Sequence, residues 1–171
     1  MVKVAAGKII DAHCHVWTSD TDQYPLASAF GKSDLWLPSF TPEDHFKYSR
    51  LVGDVRINLV QMTWYGLDHR YIIDIIAGDP DRYVGTGIVS AVSDVELGSP
   101  DKAMVTLSNH GIYAFRVRGG RNARMSLGDW PRWLDHDGYH KMFKTGADHN
   151  LAISFLVGPH DIPELDRMCA L

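Results

Sequence analysis

The residues with the clearest chemical potential are two histidines at the end of the first apolar run of the chain. His13 and His15 follow the segment 9–12 (IIDA) and have only Cys14 between them. Side chains two positions apart on a strand point to the same side, so both imidazoles are expected to converge on one point. Such a pair can bind a borderline cation such as zinc. Asp11 has the same parity and is predicted to support the rings from beneath, whereas Cys14 is expected to face away and pack.

Two arginines near the middle of the sequence repeat this spacing. Arg116 and Arg118 end another apolar run and are followed by Gly119 and Gly120. Their shared parity predicts a bidentate grip on a carboxylate or phosphate, and the two glycines let the backbone turn and a ligand approach closely. For Arg118, a solvated side chain at the start of a loop is the alternative that the sequence leaves open.

A third candidate set follows the second apolar run. Gln61, Trp64 and Tyr65 offer one amide and two amphipathic rings, which are expected to line a pocket. Asp68 is expected to cap the next helix, and His69 to lie on the surface of its first turn. The loop 130–133 (WPRW) either covers the strand ends as a lid or packs on the rim.

The elements that position these residues alternate between strand-like and helix-like patterns. Thr41-Pro42-Glu43-Asp44 predicts a helix start, with an N-cap, a proline at the first position and acids in the first turn. Nearly continuous apolar strands separated by helices indicate βαβ units and a parallel sheet. The candidate residues follow the strands of this sheet, at the edge where α/β folds bind ligands. This position favours a functional site at His13 and His15 over a chance pair among the nine histidines of the chain. Strands are predicted at 8–13, 55–61, 83–89, 112–117 and 151–157.

Length and composition exclude several classes of protein. The 171 residues carry a net charge of −4, with no basic block typical of nucleic-acid binding and no apolar run that spans a membrane. The residues at the start of the sequence lack the apolar segment of a secretory signal, so no secretory leader is expected. Two cysteines do not form a disulfide framework, so a reducing cytoplasm is the expected compartment, and the length predicts a single domain over residues 1–171. Five βα units are too few for a closed eight-stranded barrel, so we expect either an open sheet or the front part of a longer fold.

Three segments together resemble amidohydrolase family 2 of the amidohydrolase superfamily. They are 9–17 (IIDAHCHVW), 60–69 (VQMTWYGLDH) and 111–117 (GIYAFRV), and the resemblance runs along the whole chain in order. It implies an α/β fold of the (β/α)8 TIM-barrel type, here limited to about five βα units in the sequential order 1-2-3-4-5. Members include metal-dependent decarboxylases of aromatic and related acids, and lactonases that hydrolyse cyclic esters, some of them without metal. His13 and His15 match the first-strand metal or substrate ligands of the family, and Arg116 and Arg118 fall, more loosely, where lactonase-like members hold substrate carboxylates.

Two departures from the family pattern bear on the chemistry. Decarboxylase-type members carry a metal-binding histidine at the end of the fifth strand, whereas here the segment 153–159 (ISFLVGP) contains none. The family's sixth-strand histidine and eighth-strand aspartate would lie beyond Leu171, so the resemblance covers the first five-eighths of a member. With two imidazoles supplying half of a tetrahedral shell, weak or absent zinc binding on His13 and His15 is expected.

Three functions remain open at this point. The first is a lactonase-like hydrolase that opens a small carboxylated cyclic ester. The second is a zinc-dependent decarboxylase of a small aromatic or unsaturated acid, and the third is a non-catalytic fragment of such an enzyme. The expected partner is a small carboxylate or lactone substrate, with neither nucleic acid nor membrane. A homo-oligomer that covers the open edges of the barrel is also expected, because unpaired edge strands expose backbone and apolar surface.

Overall fold

A computed structural model describes residues 9–53, 55–92, 94, 96–119 and 133–169. Gly120 and most of the predicted lid loop (130–132) lie outside the described residues. None of the described helices is both long and apolar enough to cross a membrane.

Among the described residues, five strands and five α-helices alternate, and the α/β prediction is confirmed. The sheet has the sequential order β1-β2-β3-β4-β5 that was expected, and the pairs β1–β2, β2–β3 and β4–β5 are parallel. The strands are β1 (Ile9–Cys14), β2 (Val55–Val60), β3 (Tyr83–Gly87), β4 (Ile112–Arg118) and β5 (Ala152–Leu156). The helices are α1 (Pro42–Ser49), α2 (Arg70–Gly78), α3 (Pro100–Ser108), α4 (Asp137–His149) and α5 (Ile162–Cys169).

The chain divides into two compact units, each with its own core. The first comprises the described residues up to Gly87 together with His110–Ile112, and the second comprises those of Ile88–Asn109 and from Tyr113 onward. In the first unit, Leu59 of β2 and Ile72 of α2 are fully buried. In the second unit the fully buried side chains include Met104, Phe115, Leu134 and Met142.

The start of α1 follows the predicted capping pattern. The Thr41 hydroxyl accepts a hydrogen bond from the Asp44 N–H at 3.4 Å, and the Asp44 carboxylate accepts one from the Thr41 N–H at 3.0 Å. This reciprocal box satisfies two backbone donors that a helix N-terminus otherwise leaves unpaired. It fixes the start of the helix and so positions His45, which lies in its first turn.

Candidate active site

The C-terminal end of β1 carries an irregularity that decides where its side chains point. Asp11 pairs with Ile57 and Cys14 with Leu59, so three steps along β1 match two along β2. Such a β-bulge shifts the alternation of side chains by one residue. Asp11 and Cys14 therefore share a side, although strict alternation would place them on opposite sides.

The structure brings the two predicted imidazoles together. His13 Nε2 and His15 Nε2 lie 3.2 Å apart, and the ring planes are nearly perpendicular at 82°. His15 Nδ1 lies 2.8 Å from the carbonyl oxygen of Val60, at the end of β2. Because a carbonyl only accepts, His15 Nδ1 carries a hydrogen, and in the neutral ring Nε2 then presents its lone pair toward His13.

Asp11 does not support the rings from beneath as the parity argument predicted. Its Oδ1 accepts the His13 backbone N–H at 3.1 Å, and its Oδ2 lies 2.8 Å from His45 Nε2. Burial raises the pKa of the Asp11 carboxyl, but the hydrogen bonds to His45 and to the His13 amide outweigh it and hold the pKa below its usual range. The parity prediction is wrong here because the bulge turns the carboxylate toward α1.

His45 is the residue of this region that sequence reasoning missed. The His45 side chain is 14% exposed and hydrogen-bonded to Asp11. Its sequence signal was its place in the first turn of a capped helix. The sequence therefore predicts where His45 lies on the helix, but it does not identify the strand residue that the His45 ring contacts.

One cluster near the imidazole pair contains three different metal-ligand types. Donor atoms of Asp11, Cys14 and His45 all lie within 4.8 Å of one another. The Cys14 thiol is buried, as expected for a packing residue, and burial together with the charge of Asp11 raises its pKa to about 12. A thiol with so high a pKa stays protonated at neutral pH and coordinates metal only if the metal displaces its proton.

The three predicted pocket residues after β2 are buried in the first unit. Gln61 is 1% exposed, and its Nε2 donates to the carbonyl oxygens of Gly66 at 3.2 Å and Asp68 at 2.7 Å. The Tyr65 hydroxyl accepts the Thr18 N–H at 3.0 Å. These contacts hold the loop between β2 and α2, so the side chains serve its packing. Their contact with a substrate stays a prediction.

Trp64 belongs to an aromatic cluster with two other tryptophans. Its ring packs edge-on against Trp17 at 5.3 Å and Trp36 at 5.4 Å between centroids. Trp17 and Trp64 are buried, while Trp36 is 76% exposed. The cluster therefore has one indole at the surface, on the segment between β1 and α1.

His69 lies in the core of the first unit and not on the surface, so the prediction of an exposed side chain is wrong. It is 3% exposed and precedes α2 as its N-cap residue. Gly87 makes room for the ring, since a Cβ at that position would lie 3.0 Å from His69 Nε2. Burial lowers the pKa of His69 to about 4, although a hydrogen bond to the Leu67 backbone and the charge of Asp68 oppose the shift. Asp68 is therefore not the N-cap residue of α2, but its Oδ1 accepts the N–H of Arg70, the first residue of that helix, at 3.0 Å.

The predicted arginine pair lies on β4, in the second unit. Arg116 is 8% exposed and Arg118 half-buried, in register with Ser154 and Leu156 of β5. Burial lowers the pKa of Arg116, and the positive charge of Arg118 lowers it further. Two cations held close together with restricted access to water favour the binding of an anion between them.

At Gly119, in the turn after β4, another group of the protein approaches the backbone closely, as the sequence predicted for this turn. A Cβ at Gly119 would overlap the carboxylate of Asp161, which is buried and accepts the Gly158 N–H at 3.0 Å. The sequence pointed to a ligand as the approaching group. In the structure a carboxylate of the chain itself takes this place.

Comparison with solved structures shows the fold. Two proteins, each provisionally named a 2-pyrone-4,6-dicarboxylic acid hydrolase, match: one from Acinetobacter baumannii with citric acid bound (TM-score 0.62, 17% identity) and one from Pseudomonas putida (0.66, 18%). An Agrobacterium tumefaciens protein in its apo form matches with a TM-score of 0.58 and 14% identity. These matches cover 86%, 92% and 95% of this chain and 48%, 51% and 52% of the other chains. Neither a protein-family model nor a curated protein sequence matches the chain.

The chain thus spans about half the length of the structures that it resembles. Its fold is α/β of the TIM-barrel type with five βα units, as the family resemblance implied.

Proposed function

We propose that this chain belongs to a lactonase-like hydrolase that opens a small cyclic ester carrying carboxylate groups. The imidazole pair of His13 and His15 is the group that acts on the ester carbonyl, and binding of a substrate carboxylate is assigned to Arg116 and Arg118 on the basis of their charge, burial and shared strand alone. The observation that carries the proposal is the convergence of the two Nε2 atoms at 3.2 Å, with the His15 ring oriented by Val60.

The imidazole pair fits a divalent cation. Two nitrogens bound to a tetrahedral zinc at about 2.0–2.1 Å lie about 3.3 Å apart, close to the separation of 3.2 Å between the two Nε2 atoms. The bond from His15 Nδ1 to a backbone carbonyl is the outer contact that orients metal-binding histidines. A cation held by His13 and His15 would polarise the ester carbonyl and increase the acidity of a bound water.

The chain's own groups have defined tasks in this reaction. His15 presents its Nε2 lone pair because its Nδ1 hydrogen is engaged by Val60. Arg116 and Arg118 compensate the negative charge of the substrate and orient it through charge-assisted hydrogen bonds. A bound carboxylate would also offset the burial and the nearby charge of Arg118, which together lower the pKa of Arg116.

The names of the structural neighbours support this substrate class. A 2-pyrone-4,6-dicarboxylate is a cyclic ester with two carboxylates, and the Acinetobacter protein holds citric acid, which is also a polycarboxylate. The strand β5 (AISFL) contains no histidine, so the ligand typical of decarboxylases is missing from that strand. Hydrolysis is therefore favoured over decarboxylation.

The proposal is tested by incubating the protein with 2-pyrone-4,6-dicarboxylate and related lactones, with and without zinc. Ring opening is followed by loss of the pyrone absorbance, and carbon dioxide release is measured in parallel. We expect ring opening that falls by about 100-fold in His13→Ala, the usual cost of removing one preorganised group at a reacting carbonyl. Arg116→Gln should raise KM by about tenfold, and the exposed His140→Gln should change neither value.

Three results would overturn this assignment. Release of carbon dioxide without ring opening would identify a decarboxylase. Binding of the dicarboxylate, seen by tryptophan fluorescence, without any turnover would identify a non-catalytic chain. Equal losses in His13→Ala and His140→Gln would show that the imidazole pair is not the reacting group.

A further inference from the structure

We propose that His45 on α1 is a positioning residue for the imidazole pair and acts through Asp11. This inference rests on the proposed function of His13 and His15, and it assigns a task to a side chain from a different element of the fold. Its basis is one carboxylate that makes two hydrogen bonds, one to the backbone of His13 and one to the ring of His45.

The bulge in β1 creates the need for this contact. Between the register pairs of Asp11 and Cys14 with β2, the backbone of Ala12 and His13 leaves the regular ladder. Side chains supply the missing partners: Asn58 Nδ2 donates to the Ala12 carbonyl at 3.0 Å, and Asp11 Oδ1 accepts the His13 N–H at 3.1 Å. The rotamer of Asp11 therefore determines the position of the His13 backbone. The backbone in turn determines where the His13 imidazole lies.

His45 holds that rotamer. The Asp11 side chain is 35% exposed, so water competes for its oxygens, and a bond at 2.8 Å from His45 Nε2 to Oδ2 opposes its rotation. His45 Nδ1 is buried without a hydrogen-bond partner among the described residues. A bare acceptor nitrogen is tolerated there more readily than an unpaired N–H, so Nε2 carries the hydrogen and donates it to Asp11.

Because His45 sits in the first turn of α1, the capped start of this helix is coupled to the metal-binding end of β1. Replacing His45 frees Asp11 Oδ2, and the carboxylate then rotates toward water. The His13 N–H loses its acceptor, and the position of the His13 imidazole relative to His15 is no longer fixed. Outer contacts of this kind commonly contribute about 10- to 100-fold to metal affinity.

The experiment compares three variants of the full chain by two measurements. His45→Ala removes the donor, and His45→Gln keeps an N–H that reaches Asp11. Lys47→Ala removes a surface ion pair with Asp44 on the same helix and leaves the contact between His45 and Asp11 in place. The first measurement is the exchange rate and chemical shift of the His13 amide proton by NMR without metal, and the second is zinc affinity by competition with a chromophoric chelator.

We expect His45→Ala to speed exchange of the His13 amide proton and to weaken zinc binding by about tenfold, the low end for an outer contact. His45→Gln should restore both values toward those of the wild type. Lys47→Ala should leave both values unchanged. An unchanged amide proton in His45→Ala, or an equal shift in Lys47→Ala, would overturn the positioning role.

Two further variants separate a failure of this inference from a failure of the proposed function. If His13→Ala leaves zinc affinity unchanged, the metal site of the proposed function is wrong, while the metal-free amide measurement still decides the role of His45. If Cys14→Ser loses the ion and His13→Ala keeps it, the ion is held by Asp11, Cys14 and His45. That result would overturn positioning in favour of direct coordination.

Discussion

The buried His69 makes the stability of the chain depend on pH in a defined window. When the pH is lowered from neutral to about 4, His69 takes up a proton only if the core opens or accommodates the charge. The pKa of His69 is lowered by burial from 6.5 to about 4 in the folded chain. Since the unfolded chain takes up the proton near 6.5, acid favours the unfolded state throughout this interval.

The size of the effect follows from the pKa shift. A difference of about 2.5 pKa units at about 1.36 kcal/mol per unit corresponds to about 3 kcal/mol of unfolding free energy. This contribution is fully present above about pH 6.5 and is lost as the pH falls toward 4. Because His69 is 3% exposed, screening by solvent reduces this contribution to the unfolding free energy only a little.

The assay is urea unfolding followed by tryptophan fluorescence at several pH values between about 4 and 7. Carboxylates also titrate at the acid end, so the measured quantity is the difference in pH dependence between wild type and His69→Gln. We expect the variant to be less stable at pH 7 and to lose about 3 kcal/mol less on acidification. The exposed His140→Gln is the matched control. Parallel curves for wild type and His69→Gln would refute the reasoning.

Two further predictions concern backbone space and buried polar contacts. A Cβ at Gly138 would overlap the carbonyl oxygen of Ala91, so Gly138→Ala should lower the unfolding free energy by about 1–3 kcal/mol. No atom lies within 4 Å of a Cβ at Gly78, so Gly78→Ala should raise the unfolding free energy by about 0.5–1 kcal/mol. Equal effects of Gly138→Ala and Gly78→Ala in thermal melts would contradict this assignment. Gln61→Leu should lower the unfolding free energy by about 1–3 kcal/mol because two loop carbonyls lose their donor, and unchanged stability in urea titrations would contradict this role.

The local patterns of the sequence predicted the order of elements and the residue types at the strand ends. The five strands appear where apolar runs predicted them, and α1 begins at its predicted cap. The convergence of His13 and His15 also followed from local spacing, because the alternation of side chains along a strand needs no partner to be specified. Propensity, capping and alternation are properties of a few neighbouring residues, so the sequence alone is sufficient for them.

Tertiary structure decided which polar side chains face each other. The Asp11–His45 pair joins positions 34 residues apart, and the bulge that turns Asp11 toward α1 is defined by pairing with β2. The burial of His69 depends on the space at Gly87, and that of Gln61 on the path of the loop that it holds. Neither is visible in a local pattern, because burial and register are set by elements distant in sequence that pack against the same residue.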